Sequence, residues 1–205
     1  MSKTPPEIPT PTIQEIEAAH RGFEESEPRD LFYRAATELM GLALRGETSL
    51  SVTEALAVLL QTWNRAFYRF TPFDSQHFAD LERVVTTNQR VLAALRERSI
   101  ERFSSEDAAT VERLFGDFEK VLGPVGAAKA LHLLAPRFFP LWDRAIAKAY
   151  TLALRKRGKN AERYRQFMVI TKRQYEALAR EHSTGQNLLK LLDEYNYTHY
   201  TKHWT

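Results

Sequence analysis

VLGPVGAAKALHLLAPRFFPLWDRAIAKAY, residues 121–150, carries the densest punctuation in the chain. Leu122-Gly123-Pro124-Val125-Gly126 is a glycine-bearing turn between two apolar segments, so it reads as a hairpin joining two helices. The segment behind it carries Lys129 and then His132, and runs to about Ala135. Pro136 and Pro140 bound a turn. Asp143 then precedes Arg144-Ala145-Ile146-Ala147, where a short acceptor meets the unpaired amides of a first helical turn. The pattern predicts a helix from there through Arg157, ended by Gly158.

Outward from this stretch the periodicity stays helical. Ser104 or Ser105, followed by Glu106 and Asp107, opens the helix that leads into the hairpin, with Ala108, Val111, Leu114, Phe115, Phe118 and Val121 on one face. Further upstream a helix runs from about Gln76 to Arg98, and Thr71-Pro72 interrupts before it. Ser51-Val52-Thr53-Glu54 is a capping box, and Val52, Ala55, Leu56, Leu59, Trp63, Phe67 and Phe70 follow at helical spacing. Residues 13–25 and 30–45 are short amphipathic stretches, the second closing at Gly46; residues 160–181 and 186–195 supply the last two helices. No segment alternates with period two for long enough to make a sheet. The expectation is an all-α fold: a single helical domain over residues 13–205, with a helix-hairpin-helix motif at about 107–135, behind a flexible Pro-rich leader at residues 1–12.

Composition narrows the chemistry. The chain has 205 residues, 43% of them hydrophobic, with 12 Phe, 8 Tyr and 3 Trp, enough to fill one good core. It has no cysteine, which excludes disulfides, thiolate zinc sites, cysteine nucleophiles and iron–sulfur clusters, and fits a reducing, cytoplasmic setting. No apolar run approaches the roughly 20 residues of a membrane span, and the first residues hold no signal-like apolar core. There is no P-loop, no Gly-x-Ser-x-Gly and no His-Glu-x-x-His. The net charge is only +3, but it is unevenly spread. Residues 1–30 hold seven acids against three bases, whereas residues 144–180 hold eleven Lys/Arg against Glu162 and Glu176. A field of that sign suits a polyanionic partner, and a solvated helical face explains the same charges.

A hairpin whose amides point outward ahead of a helix is a seat for phosphate, and glycine lets the phosphate approach the backbone. On these residues the chain resembles the helix-hairpin-helix DNA glycosylase superfamily that includes endonuclease III, adenine glycosylase and 8-oxoguanine glycosylase. The family pattern is matched by Leu122, Val125, Gly126, Lys129, Pro140 and Asp143, and Leu59-Leu60-Gln61-Thr62 is similar to its glutamine-bearing helix start. Gly123-Pro124 stands in the reverse of the usual order, and the cluster-binding cysteines of one subclass are missing, as in a divergent branch.

The resemblance implies a DNA-binding base-excision enzyme that everts one nucleotide and hydrolyses the N-glycosidic bond of a damaged or modified base. Asp143 would stabilise the oxocarbenium ion or orient a water, and Lys129 would either attack C1′ as a Schiff-base nucleophile or hold a phosphate. Gly123, Val125, Gly126 and Ala128 would lie along the DNA backbone, joined by Arg155, Lys156, Arg157 and Lys159 at a helix end. Trp63, Asn64, His132 and Trp142 would line the base pocket.

Each assignment has a plainer counterpart. Asp143 is a helix N-cap in its own right, Lys129 can face solvent, and Trp63 lies on an apolar stripe that suits a core position. His132 fits a satisfied interior histidine, and the aromatic tail with His199 and His203 fits docking on the body better than a metal site. The expected protein acts as a monomer on DNA, hydrolysing without lyase action and without cofactor or metal. A non-catalytic nucleic-acid-binding module on the same scaffold, or a helical interaction protein, are the alternatives.

Overall fold

The computed structural model describes residues 8–26, 29–181 and 187–204. Among the described residues every regular element is helical: α1 (Ile13–Ser26), α2 (Arg29–Arg45), α3 (Val52–Trp63), α4 (Arg65–Tyr68), α5 (Ser75–Arg96), α6 (Ala108–Leu134), α7 (Arg144–Ala149), α8 (Ala161–Ala179) and α9 (Leu188–Asn196). Short 3₁₀ turns precede α6, and a wide π-type turn, Tyr197–Lys202, follows α9. No described helix is long and apolar enough to cross a membrane.

Local chemistry sets most of the boundaries. Ser51 and Glu54 form the reciprocal capping box of α3, and the Asp74 carboxylate accepts the His77 amide at the start of α5. The expected helix from Val52 to Phe70 breaks at Asn64 (φ −106°, ψ 32°), which leaves α3 and the single turn α4, with Phe70 84% exposed. Asn64 leaves the helical conformation to donate to the Leu122 carbonyl (3.1 Å), so a tertiary bond outweighs the apolar spacing.

The central helix α6 packs on α2, α3, α5 and α8. Where the sequence predicts a hairpin, α6 is kinked at a single residue, Gly123 (φ 70°, ψ 170°), a backbone region open to glycine almost alone, and Pro124 opens the second half with a fixed helical φ. A helix that stops leaves its last four carbonyls unpaired. Here the Arg157 guanidinium donates to the carbonyls of Glu119, Lys120 and Val121, and Asn64 takes that of Leu122. Around this break the core is aromatic: Phe115 stacks on Tyr164 (centroids 4.3 Å apart), and Trp142 meets both rings edge-on.

Downstream, the helix expected from Asp143 through Arg157 ends at Ala149. Thr151 takes a positive φ of 57°, and the Leu152 amide returns to the Ala147 carbonyl (2.8 Å), which turns Leu152 into the core. Arg155, Lys156, Arg157 and Lys159 therefore lie on a loop, not at a helix end. Buried Asn160 braces that loop, accepting the Arg155 amide (2.7 Å) and donating to the buried Glu119 carboxylate (2.5 Å).

Residues 1–7 of the proline-rich leader lie outside the described residues. Residues 8–12 are docked: Ile8 packs against the core, and the Pro9 carbonyl accepts from Gln174 (3.0 Å). At the other end α9 packs against α1, so the first and last helices close the same side of the molecule.

Candidate active site

A cavity of about 490 Å³ opens where α2, the junction of α3 and α4, the second half of α6, the start of α7, and α9 meet. Its walls are largely aromatic, from Phe23, Phe32, Tyr33, Trp63, Trp142 and Tyr197. Its basic and acidic side chains are Arg65, Lys129, Asp143, Lys190 and Asp193. Lys129 and Asp143, the two residues read from the sequence as chemical groups, thus line one cavity, with Trp63 and Trp142 beside them.

Asp143 caps α7 as expected: Oδ1 accepts the Ile146 amide (2.8 Å). Its other oxygen accepts the Thr201 hydroxyl (2.7 Å), so the carboxylate is pinned by its own helix and by the C-terminal turn. Lys129 projects from α6, donates from Nζ to the Trp63 carbonyl (2.5 Å), and sits 5.3 Å from the centre of the Trp63 ring. A cation at the end of α3 also complements that helix's dipole. Trp63 is half-buried, its face shared between Lys129 and the edges of Phe32 and Tyr33. Trp142 is almost wholly buried, with Nε1 donating to the Pro124 carbonyl (3.2 Å), and only its margin reaches the cavity.

The other two residues read as pocket walls stand behind it. Asn64 is buried at the α6 break. His132 is completely buried between the Phe139 carbonyl (2.7 Å from Nδ1) and the Tyr33 hydroxyl (2.7 Å from Nε2). A carbonyl can only accept, so Nδ1 carries the proton and Nε2 accepts from Tyr33. Burial lowers the His132 pKa to about 4, and the ring is neutral. Its contribution to the cavity is to orient Tyr33, which does line it.

Gly123 and Gly126, read from the sequence as hairpin glycines, are buried as well. A Cβ on Gly126 would lie 2.3 Å from Asn64 Nδ2, and one on Gly123 would lie 3.2 Å from the Phe67 ring. Ala128 is fully buried, and Val125 is half-buried. Close packing against α3 and α4 accounts for the small residues read as phosphate contacts. Arg155, Lys156 and Lys159 are exposed, whereas the Arg157 guanidinium is committed to the carbonyls of α6.

Sequence reasoning missed the side of the cavity built by α2 and α9. Lys190 Nζ lies 4.5 Å from the Phe23 ring centre and 4.7 Å from that of Tyr33, and pairs with Asp30 (3.3 Å) and with Glu194. Burial works against this ammonium, but Glu194, Asp193 and Asp30 outweigh it and hold its pKa above the ordinary lysine value. Asp193 is half-buried, one turn farther along α9. Burial lifts its carboxyl to about 7; Glu194 and Asp143 push the same way, while Lys190 and Lys129 oppose them. The only signal in the sequence was a Lys-x-x-Asp spacing on a short helix whose leucines are buried, a pattern shared by many surface helices.

No group of three His, Cys, Asp or Glu among the described residues is arranged to hold a metal ion. His199 stacks on Tyr195 (centroids 5.4 Å apart), and the tail docks through the buried Thr198 and the bond from Thr201 to Asp143. A second cavity, of about 310 Å³ between α3 and α5, presents Glu82 and Arg96 with no aromatic wall. No family model, curated protein or solved structure matches this chain.

Proposed function

We propose that this protein is a DNA-binding base-excision enzyme, similar in its chemistry to the helix-hairpin-helix glycosylases, which hydrolyses the N-glycosidic bond of a damaged or modified base. The observation that carries this reading is the convergence of Asp143 and Lys129 on one aromatic cavity. A volume of about 490 Å³ falls in the range of small-molecule sites, roughly 300–1,000 Å³. Aromatic faces such as Trp63 and Tyr33 stack on a flat everted base, and every base has a face to stack.

Within that pocket Asp143 is the group suited to a sugar that develops positive charge as the base leaves. Both of its oxygens are already oriented by the Ile146 amide and the Thr201 hydroxyl, so little reorganisation is needed in the transition state. Lys129, fixed on the Trp63 carbonyl, holds the neighbouring phosphate or sugar; the favoured chemistry is hydrolysis without strand cleavage. The exposed Arg155, Lys156 and Lys159 supply backbone attraction on the loop after α7.

The test is abasic-site formation, read with an aldehyde-reactive probe on duplexes carrying uracil, hypoxanthine, 8-oxoguanine, 7-methylguanine and naturally modified pyrimidines. Wild-type protein is expected to yield aldehyde, and Asp143→Asn to lose about 10²–10³-fold in rate. Asparagine is as good an N-cap as aspartate, so the variant keeps its fold. Borohydride trapping of a covalent complex would instead assign Lys129 a Schiff base. Absence of aldehyde from a protein that still binds DNA would favour the non-catalytic module.

A further inference from the structure

The cavity holds a second carboxyl group with no counterpart in the sequence motif. We infer that Asp193 is the general acid that protonates the departing base, and that the substrate is therefore a neutral base rather than a cationic alkylated one; this rests on the base-excision reading above. Asp193 and Asp143 line the same cavity from different elements, α9 and the start of α7. The two are bonded differently. Asp143 accepts hydrogen bonds through both oxygens, from an amide and a hydroxyl. Asp193 is half-buried on the wall beside Tyr33 and Trp63.

The groups around Asp193 are Lys190 and Glu194 on α9, Asp143 at α7, Lys129 on α6 and Tyr33 on α2, with Tyr197 of the C-terminal turn on the same cavity and His20 of α1 bonded to Glu194 (2.6 Å). Burial and the two acids lift the Asp193 pKa to about 7 against the two lysines, so the carboxyl carries its proton below that pH. Two carboxyls in one cavity, one bonded through both oxygens and the other half-buried among aromatic walls, are placed for separate roles in a hydrolysis.

The C1′–N bond breaks with its electron pair moving to the base, and the Asp193 proton passes to the base. A water oxygen bonds to C1′, and its proton passes to Asp143 and then to solvent, from which Asp193 is reprotonated. A neutral base leaves poorly as an anion and gains from such a proton, whereas a base already cationic from alkylation does not.

The experiment is single-turnover base release from the same panel of duplexes between pH 5 and 9, with wild type, Asp193→Asn and Asp143→Asn in parallel. The expected result is release of a neutral base by the wild type, falling above about pH 7 as Asp193 ionises. Asp193→Asn is expected to lose about 10²–10⁴-fold at pH 6 and to lose the falling limb with it. A variant that keeps the limb, or a wild type that releases 7-methylguanine alone, overturns the inference and leaves the base-excision reading standing. Silence of the wild type on every duplex overturns both.

Discussion

His132 has no exposed surface, and both of its ring nitrogens are bonded, so its protonation would break the acceptor bond to Tyr33 and bury a charge. Its folded pKa, about 4, lies below the ordinary value of 6.5. Stability from this group is therefore complete above about pH 6.5 and is lost as pH falls toward 4, by about 3 kcal/mol in all. Urea titrations at pH 7 and pH 4.5 should show His132→Gln losing less stability across that interval than the wild type. Asp193 has the opposite sign. Its folded pKa is raised, so its contribution is intact below about pH 4 and is lost as pH rises to about 7, by roughly 2–4 kcal/mol. Asp193→Asn should match the wild type near pH 4 and exceed it in stability at pH 8; equal denaturation midpoints at pH 8 would mean that the carboxyl carries no such strain. Such strain at the proposed acid would be a familiar cost of function.

At the scale of elements, the break in α6 is where most of the architecture is decided. Gly123 turns the chain, Gly126 admits Asn64, and Asn64 and Arg157 together satisfy the four carbonyls left by the first half of the helix. Gly126→Ala would set a methyl group 2.3 Å from the Asn64 amide and should cost about 1–3 kcal/mol. Asn64→Ala alone leaves the Leu122 carbonyl unpaired, at a similar cost. Because the second change removes the clash created by the first, the double variant should be less destabilised than the two losses added, by about 1 kcal/mol or more. Additive losses in chemical denaturation would show that the two residues do not meet. The same break holds the start of α6's second half in place and so aims Lys129, six residues past Gly123, at the end of α3.

At the scale of the whole molecule, the basic excess of residues 144–180 is divided between structure and surface. Arg165 is bonded to Glu112 (2.5 Å), Lys172 to the Phe103 carbonyl (2.7 Å), and Arg157 to the α6 carbonyls. Arg155, Lys156 and Lys159 remain exposed. Phosphate contacts release counterions, about 0.9 per contact on duplex DNA, so Lys156→Ala/Lys159→Ala should lower the salt slope of binding by nearly 2. The melting temperature should hardly move. Arg157→Ala should do the reverse, lowering stability with a smaller change in slope. A slope unchanged in the double lysine variant would remove this loop from the DNA interface.

What the sequence determined by itself was local. The Ser51–Glu54 capping box, the Asp143 N-cap, the turn at Gly123-Pro124 and the all-helical architecture depend on groups within a few positions of one another. These are short-range bonds and steric limits that a reader of the chain can count. The tertiary structure alone decided the rest. Asn64 reaches a carbonyl 58 positions away and Arg157 one 36 positions away, and these bonds end α3 early and bury Gly123 and Gly126. The closure of α9 on α1 brings Lys190 and Asp193 to the cavity that Lys129 and Asp143 already shared. An acidic side chain on a helix looks alike in sequence whether it faces solvent or a cavity; the burial and neighbouring charges that raise the Asp193 pKa exist only once distant helices have packed.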